Sequence, residues 1–180
     1  MNVKFTSLTG YQSGLIAALL RASYAGLTGV EPIWRQEQEK WDEYDRQVFA
    51  YPETIGACLF LTLVDGEIAG FGSWDPRQMP ACAIIGHNCI LPLFRGNGLG
   101  KQQIQEILRR FQILGVRIAK VSTIDHPFFI PARHMYVACG FREIKRVPWD
   151  RNHGRKIIEY EKELVLKTDR QSFYRRTAEK

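Results

Sequence analysis

The chain has 180 residues, 45% of them hydrophobic and 24% charged, with a formal net charge of +6. That length and mixture suit one globular domain with a core of its own and exclude a disordered or collagenous chain. The longest apolar runs, LIAALL (15–20) and ACLFLTLV (57–64), are too short to cross a bilayer. MNVKFTSLTG shows no charged-then-apolar leader, so a cytoplasmic chain without a membrane partner is expected. Cysteines 58, 82, 89 and 139 form no CxxC pair and lie in apolar segments, and the four histidines are scattered. Neither a disulfide framework nor a metal site is expected.

Half of the positive excess lies in KTDRQSFYRRTAEK (167–180), which has five basic and two acidic residues. The chain therefore divides into a domain over residues 1–166 and a basic tail over 167–180. The positive field favours an anionic ligand, with nucleic acid the less favoured partner of the tail.

In chain order, residues 3–6 fit a short strand. In GYQSGLIAALLRASYAG (10–26), Leu15, Ile16, Leu19, Leu20 and Tyr24 recur at helical spacing. A second helix over 32–50 opens with Pro32 in its first turn and aligns Trp34, Trp41, Tyr44 and Val48 on one face. The period then drops to two. ACLFLTLVDGEIAGFGSW (57–74) reads as a hairpin turned by Asp65-Gly66, and ACAIIGHNCIL (81–91) as a strand stopped by Pro92. Residues 98–115 form an amphipathic helix through Ile104, Ile107, Leu108, Phe111 and Leu114, ended by Gly115. A strand follows at 116–123, then a short helix from Pro131 to Gly140. FREIKRVPW (141–149) and RKIIEYEKEL (155–164) close the chain as two strands. This order, β-α-α-β-β-β-α-β-α-β-β, is neither a repeating βαβ array nor an all-β sandwich.

RGNGLGKQ (95–102) lies between a strand and a helix, where unpaired amides and the positive end of the helix dipole face an approaching anion. A P-loop ending at Gly100-Lys101 needs glycine at 95 and serine or threonine at 102, where Arg95 and Gln102 stand. A dinucleotide fingerprint beginning at Gly96 needs glycine at 101, which is Lys101. What fits is R-x-x-G-x-G. Its reading as a phosphate cradle stands beside the plainer one of a tight strand-to-helix turn.

ILPLFRGNGLG (90–100) resembles the pyrophosphate-binding motif of the GNAT superfamily of acyl-CoA N-acyltransferases. ARHMYVACGF (132–141) resembles that superfamily's later A-x-x-x-Y-x-x-x-G-F motif, and the two stand in the family's order with a strand between them. The resemblance covers residues 3 to 165. It implies a single-domain α/β fold of the α+β type, a mixed, mostly antiparallel sheet of about seven strands flanked by about four helices. It also implies acetyl-CoA as acyl donor and an amine acceptor as partners, with no metal and with a homodimer allowed. The coenzyme would be held by Asn88, Cys89 and Ile90 on the central strand and by Arg95, Gly96, Asn97, Gly98, Leu99, Gly100 and Lys101 at the turn. Tyr136 falls at the general-acid position. Two departures stand out: Phe129 occupies a position where many members carry asparagine, and the central strand AIIGHNCI lacks the glutamate that many use as base.

Acetyl transfer to an amine needs a proton acceptor, because a lysine-like amine of pKa about 10.4 is almost wholly protonated at neutral pH. His87, just ahead of Asn88, is the candidate base, with a buried structural histidine as the alternative. His126, oriented by Asp125, is a second candidate. The resemblance places the acceptor between residues 26–34 and 148–155, and the substrate candidates are Glu31, Trp34, Asp125 and His126. The resulting expectation is an acetyl-CoA-dependent N-acetyltransferase acting on a primary amine of a small molecule or protein. A non-catalytic coenzyme A-binding or regulatory module of the same fold is the alternative.

Overall fold

The computed structural model describes residues 1–28, 33–149 and 154–166. Its elements are β1 (Val3–Thr6), α1 (Leu15–Thr28), α2 (Ile33–Ala50), β2 (Leu59–Val64), β3 (Glu67–Asp75), β4 (Cys82–Ile90), α3 (Leu99–Ile113), β5 (Ile118–Ile124), α4 (Ile130–Ala138), β6 (Arg142–Pro148) and β7 (Lys156–Glu163). The strands form one seven-stranded sheet in the order β1-β2-β3-β4-β5-β7-β6, antiparallel throughout except for the β4–β5 pair. The element order and the mixed sheet agree with the sequence reading. Glu31, Pro32, the turn at 150–153 and the tail from 167 lie outside the described residues.

Alternation along the strands divides the core between the two faces. Phe60, Ala83 and Ile85 pack with Ile104, Ile107 and Phe111 of α3 on one face. Leu59, Leu61, Phe71 and Cys89 pack with Ile16, Leu20 and Trp41 of α1 and α2 on the other. Asp65 and Gly66 both adopt positive φ, 51° and 93°, the geometry of a two-residue hairpin loop.

α1 starts at Leu15, the first of the apolar residues that recur at helical spacing, and its cap comes from another helix. Asp45 of α2 is 2% exposed, and its carboxylate accepts from Ser13 Oγ (2.6 Å) and from the amides of Gly14 (2.5 Å), Ile16 (2.8 Å) and Ala17 (3.3 Å). The amides of the first helical turn thus find their acceptor, and a negative charge sits at the positive end of the dipole. An ion pair between Arg21 and Asp42 joins the same two helices nearer the surface. Among the described residues no helix is long and apolar enough to cross a membrane.

Candidate active site

Parallel pairing of β4 with β5 lasts only from Cys82–Ile84 against Ile118–Lys120. Beyond it β4 stays with β3, β5 stays with β7, and the sheet opens into a V. Main-chain groups of β4 after Ile84 therefore lose their neighbour on the β5 side, and such groups need a partner. A cavity of about 1010 Å³ fills this opening, lined on its two strands by Gly86–Ile90 and Ser122–Ile124.

One end of the cavity is the glycine turn. Gly96 (φ 81°) and Gly98 (φ 74°) both occupy the left-handed region, and apart from their immediate chain neighbours no atom of the described residues lies within 4 Å of where a side chain would begin. Gly98 is the residue that caps α3, so the first amides of that helix open outward here. Gly100 has a different reason to be glycine: a β-carbon there would stand 2.8 Å from Met135 Sδ on α4. Lys101 lines the cavity beside it. Arg95 also lines the cavity, but its guanidinium donates to the carbonyls of Ile90 (2.9 Å) and Ser23 (2.6 Å) and lies over the Phe128 ring. The side chain ties the end of β4 to α1. Asn97 turns its amide to the carbonyls of Phe94 and Arg95 and is not part of the lining. Leu99 is buried with Val64 and Ala69 and also borders the cavity.

At the middle stand the titratable groups. The pairing of β3 with β4 steps from Gly72–Asn88 to Trp74–Ile85, so β4 carries an extra residue opposite Ser73. Such a bulge re-aims side chains, and both His87 and Asn88 reach the cavity. Ser73 Oγ donates to the His87 carbonyl at 3.0 Å, and the Tyr44 ring packs 5.0 Å from the imidazole. Burial lowers the His87 pKa below its ordinary value, with Glu37 acting weakly the other way. The imidazole is thus neutral near pH 7 and able to take a proton. Tyr136 arrives from α4, buried against Phe141 and Tyr160. Burial pushes its phenol up to about 12, with the Asn88 side chain in hydrogen-bonding reach and opposing the rise. The phenol therefore keeps its proton through the neutral range.

The other end is aromatic. Tyr24 stacks on Trp41 (5.5 Å) and meets Phe128 and Phe129, while Trp34 packs between Phe129 (5.9 Å) and Trp149 (5.6 Å). Glu37, from the same face of α2 as Trp34 and Trp41, brings a carboxylate to this wall and pairs with Lys40 at 2.6 Å. The proline-aromatic segment 124–132 holds Phe128 and Phe129 here by a 3-10 turn, Pro127–Phe129, leading into α4.

The cavity brings together His87, Asn88, Cys89, Ile90, Arg95, Gly96, Gly98, Leu99, Gly100, Lys101, Tyr136 and Trp34. Asp125 and His126 are not in its lining. Asp125 Oδ1 accepts from the Lys156 amide at 2.9 Å, which pins β7, and His126 Nδ1 accepts from the Phe128 amide at 3.0 Å, which caps its own turn. These two hydrogen bonds go to main-chain groups of β7 and of the turn into α4. Sequence reasoning missed Tyr24, Glu37 and Trp41, while Trp149 lies in the acceptor segment 148–155 that the resemblance named. The signal for Glu37 was present: a carboxylate three residues after Trp34 and four before Trp41 sits on an otherwise aromatic helix face. Among the described residues no three histidine, cysteine, aspartate or glutamate side chains converge as a metal site.

A family model described as acetyltransferase (GNAT) family matches residues 25–141. Among solved structures, a Desulfovibrio desulfuricans protein assigned to the GNAT acetyltransferases superposes with a TM-score of 0.70 at 19% identity, over 91% of this chain and 100% of its own. An Escherichia coli N-acetyltransferase for the alanine of a ribosomal protein gives 0.64 at 14% identity, over 94% and 98%. A Bacillus anthracis protein assigned as a streptothricin acetyltransferase, solved with acetyl coenzyme A, gives 0.54 at 17%, over 59% and 62%. At these identities the likeness is one of fold. Among curated protein sequences none matches significantly.

Proposed function

The chain belongs to the GNAT family of acetyltransferases, and from that premise we propose that it moves an acetyl group from acetyl-CoA to a primary amine, with His87 as base and Tyr136 as acid. The observation that carries the reading is the opening between β4 and β5. It sets a turn of bare glycines, an unpaired strand edge, a neutral imidazole and a protonated phenol around one cavity.

The residues present fit the coenzyme. Bare positive-φ glycines at 96 and 98 and the first amides of α3 suit a pyrophosphate, with Lys101 adding charge. The unpaired side of β4 from Ile85 to Ile90 suits an amide-bearing arm, which would lie along it as a strand would. Bound there, the coenzyme supplies an acetyl thioester open to attack by an amine. Arg95 supports this end by bracing β4 against α1.

At the acceptor end, Glu37 attracts an ammonium group and the faces of Trp34, Trp41 and Tyr24 favour a cation on an apolar or aromatic body. His87 takes the proton that such an ammonium must lose, a step that costs about 4–5 kcal/mol at pH 7 for an amine of pKa about 10.4. Unpaired amides on β4 donate to the oxygen where negative charge develops. Tyr136 gives its hydroxyl proton to the departing sulfur, and its raised pKa keeps that proton in place until then. A cytoplasmic setting with four free cysteines belongs to the same reading.

Release of coenzyme A thiol from acetyl-CoA, assayed across arylalkylamines, polyamines, amino acids and peptides, tests it. Arylalkylamines are expected to be the best acceptors. Acetyl-CoA at about 100 times its Kd should stabilise the fold by about 2.7 kcal/mol. Stabilisation without turnover on any amine would overturn the catalytic reading, and no stabilisation would overturn coenzyme binding as well.

A further inference from the structure

Gln103 is fully buried on α3, among Leu99, Ile104 and Ile107, where an apolar side chain would complete the face. The fold makes room for it: a β-carbon at Gly72 would stand 3.2 Å from Gln103 Cγ. Its amide is fully engaged. Nε2 donates to the Phe71 carbonyl at 2.7 Å and to Asn88 Oδ1, and Oε1 accepts from Thr62 Oγ1 at 2.6 Å.

These bonds have a direction. A main-chain carbonyl can only accept, so the Phe71 oxygen fixes which end of the Gln103 amide is nitrogen. That nitrogen can meet only an acceptor on Asn88, so Asn88 turns Oδ1 toward Gln103, which leaves its amide nitrogen for the cavity that it lines together with Tyr136, whose phenol feels the Asn88 side chain. A phenol that accepts from Asn88 keeps its hydrogen for the cavity. A phenol facing Oδ1 would donate there, and its proton would be spent.

We propose that Gln103 is a positioning residue for proton donation: through Asn88 it fixes the orientation in which the Tyr136 hydroxyl hydrogen points into the cavity. The inference rests on the reading of Tyr136 as the acid. Thr62 secures the far end of the relay: its bond and the one to the Phe71 carbonyl lie in the buried interior, away from competing water, while the bond to Asn88 is half-buried at the cavity wall.

A double-mutant cycle tests it. Gln103→Leu should lower kcat about tenfold or more in the wild-type background, with the acetyl-CoA Kd by calorimetry unchanged, and about twofold or less in a Tyr136→Phe background. In ligand-free protein the 13Cζ resonance of Tyr136, assigned by its loss in Tyr136→Phe, should shift in Gln103→Leu. Equal fractional losses of kcat in both backgrounds, or an unmoved resonance, would mean that Gln103 only packs. Should Gln103→Leu fail to fold, Asn88→Asp serves instead, since it keeps the shape and presents only acceptors to the phenol. An Asn88→Asp enzyme with wild-type kcat would overturn the inference. A fully active Tyr136→Phe would overturn the acid itself, a result separable from the others because it needs no change at Gln103.

Discussion

At one end of the cavity the wall is main chain. Gly96, Gly98 and the first turn of α3 face inward, while Arg95 and Asn97 spend their side chains on carbonyls of the protein. At the other end the wall is side chain: Tyr24, Trp34, Glu37, Trp41, Phe129 and Trp149 come from four separate segments. The first arrangement offers a ligand groups that every sequence possesses, so any specificity there would depend on backbone shape. The second can be retuned by single substitutions that leave the first untouched.

The largest effect is expected where the two ends meet. Tyr136→Phe keeps the ring against Phe141 and Tyr160 and should lower kcat by about 10²–10⁴, with acetyl-CoA affinity unchanged in calorimetry. A matching loss of affinity would place the phenol in the coenzyme wall instead. His87→Gln should slow turnover near neutral pH by about 10²-fold and recover as pH rises and the amine deprotonates unaided. Burial lowers the His87 pKa, so the wild-type rate should fall on acidification through a midpoint below the ordinary histidine value. Fold stability should decline over the same acidic range, where the unfolded chain binds the proton more readily. A wild-type midpoint above the ordinary value would contradict the burial argument.

Gly98→Val tests the main-chain end. A β-branched residue held at φ 74° costs about 1–3 kcal/mol, which the free turn relieves by leaving that conformation and which binding must restore, so acetyl-CoA affinity should drop roughly 5- to 150-fold in a protein that still melts cooperatively. Glu37→Gln tests the side-chain end and should raise the acceptor KM by about tenfold while leaving the acetyl-CoA KM alone. A change in both would erase the separation between the ends. The smallest binding effect is expected at Arg95. Arg95→Ala should alter the acetyl-CoA Kd by about threefold or less, yet remove two carbonyl bonds and lower Tm by about 2–4 °C for each kcal/mol lost.

The same contrast explains what the sequence disclosed. Strand alternation, the Asp65-Gly66 turn and the glycine-rich turn are local patterns, and each stands where it was read. The cap of α1 was illegible because its carboxylate, Asp45, lies about thirty residues from the amides it satisfies. Arg95 sits inside the phosphate-like motif and suggested a phosphate ligand; its reach to Ser23 depends on how α1 packs, which no local pattern encodes. Asp125 and His126 adjoin a motif in sequence but turn to β7 and to their own loop. Gln103 and Glu37 were visible as polar interruptions of apolar helix faces, and their meaning emerged only from what stands opposite them.

Asp45 makes α1 and α2 one mechanical piece. A helix whose first turn is closed by its neighbour's carboxylate cannot shift or fray alone, and Tyr24 on one helix is stacked on Trp41 of the other. A chimera that imports α1 by itself would receive a helix with its amides unanswered. Exchanging residues 13–50 as a block carries the cap, the ion pair and half of the aromatic wall together, so on the proposed reading acceptor preference would travel as a cassette while the rest of the sheet keeps its original cargo.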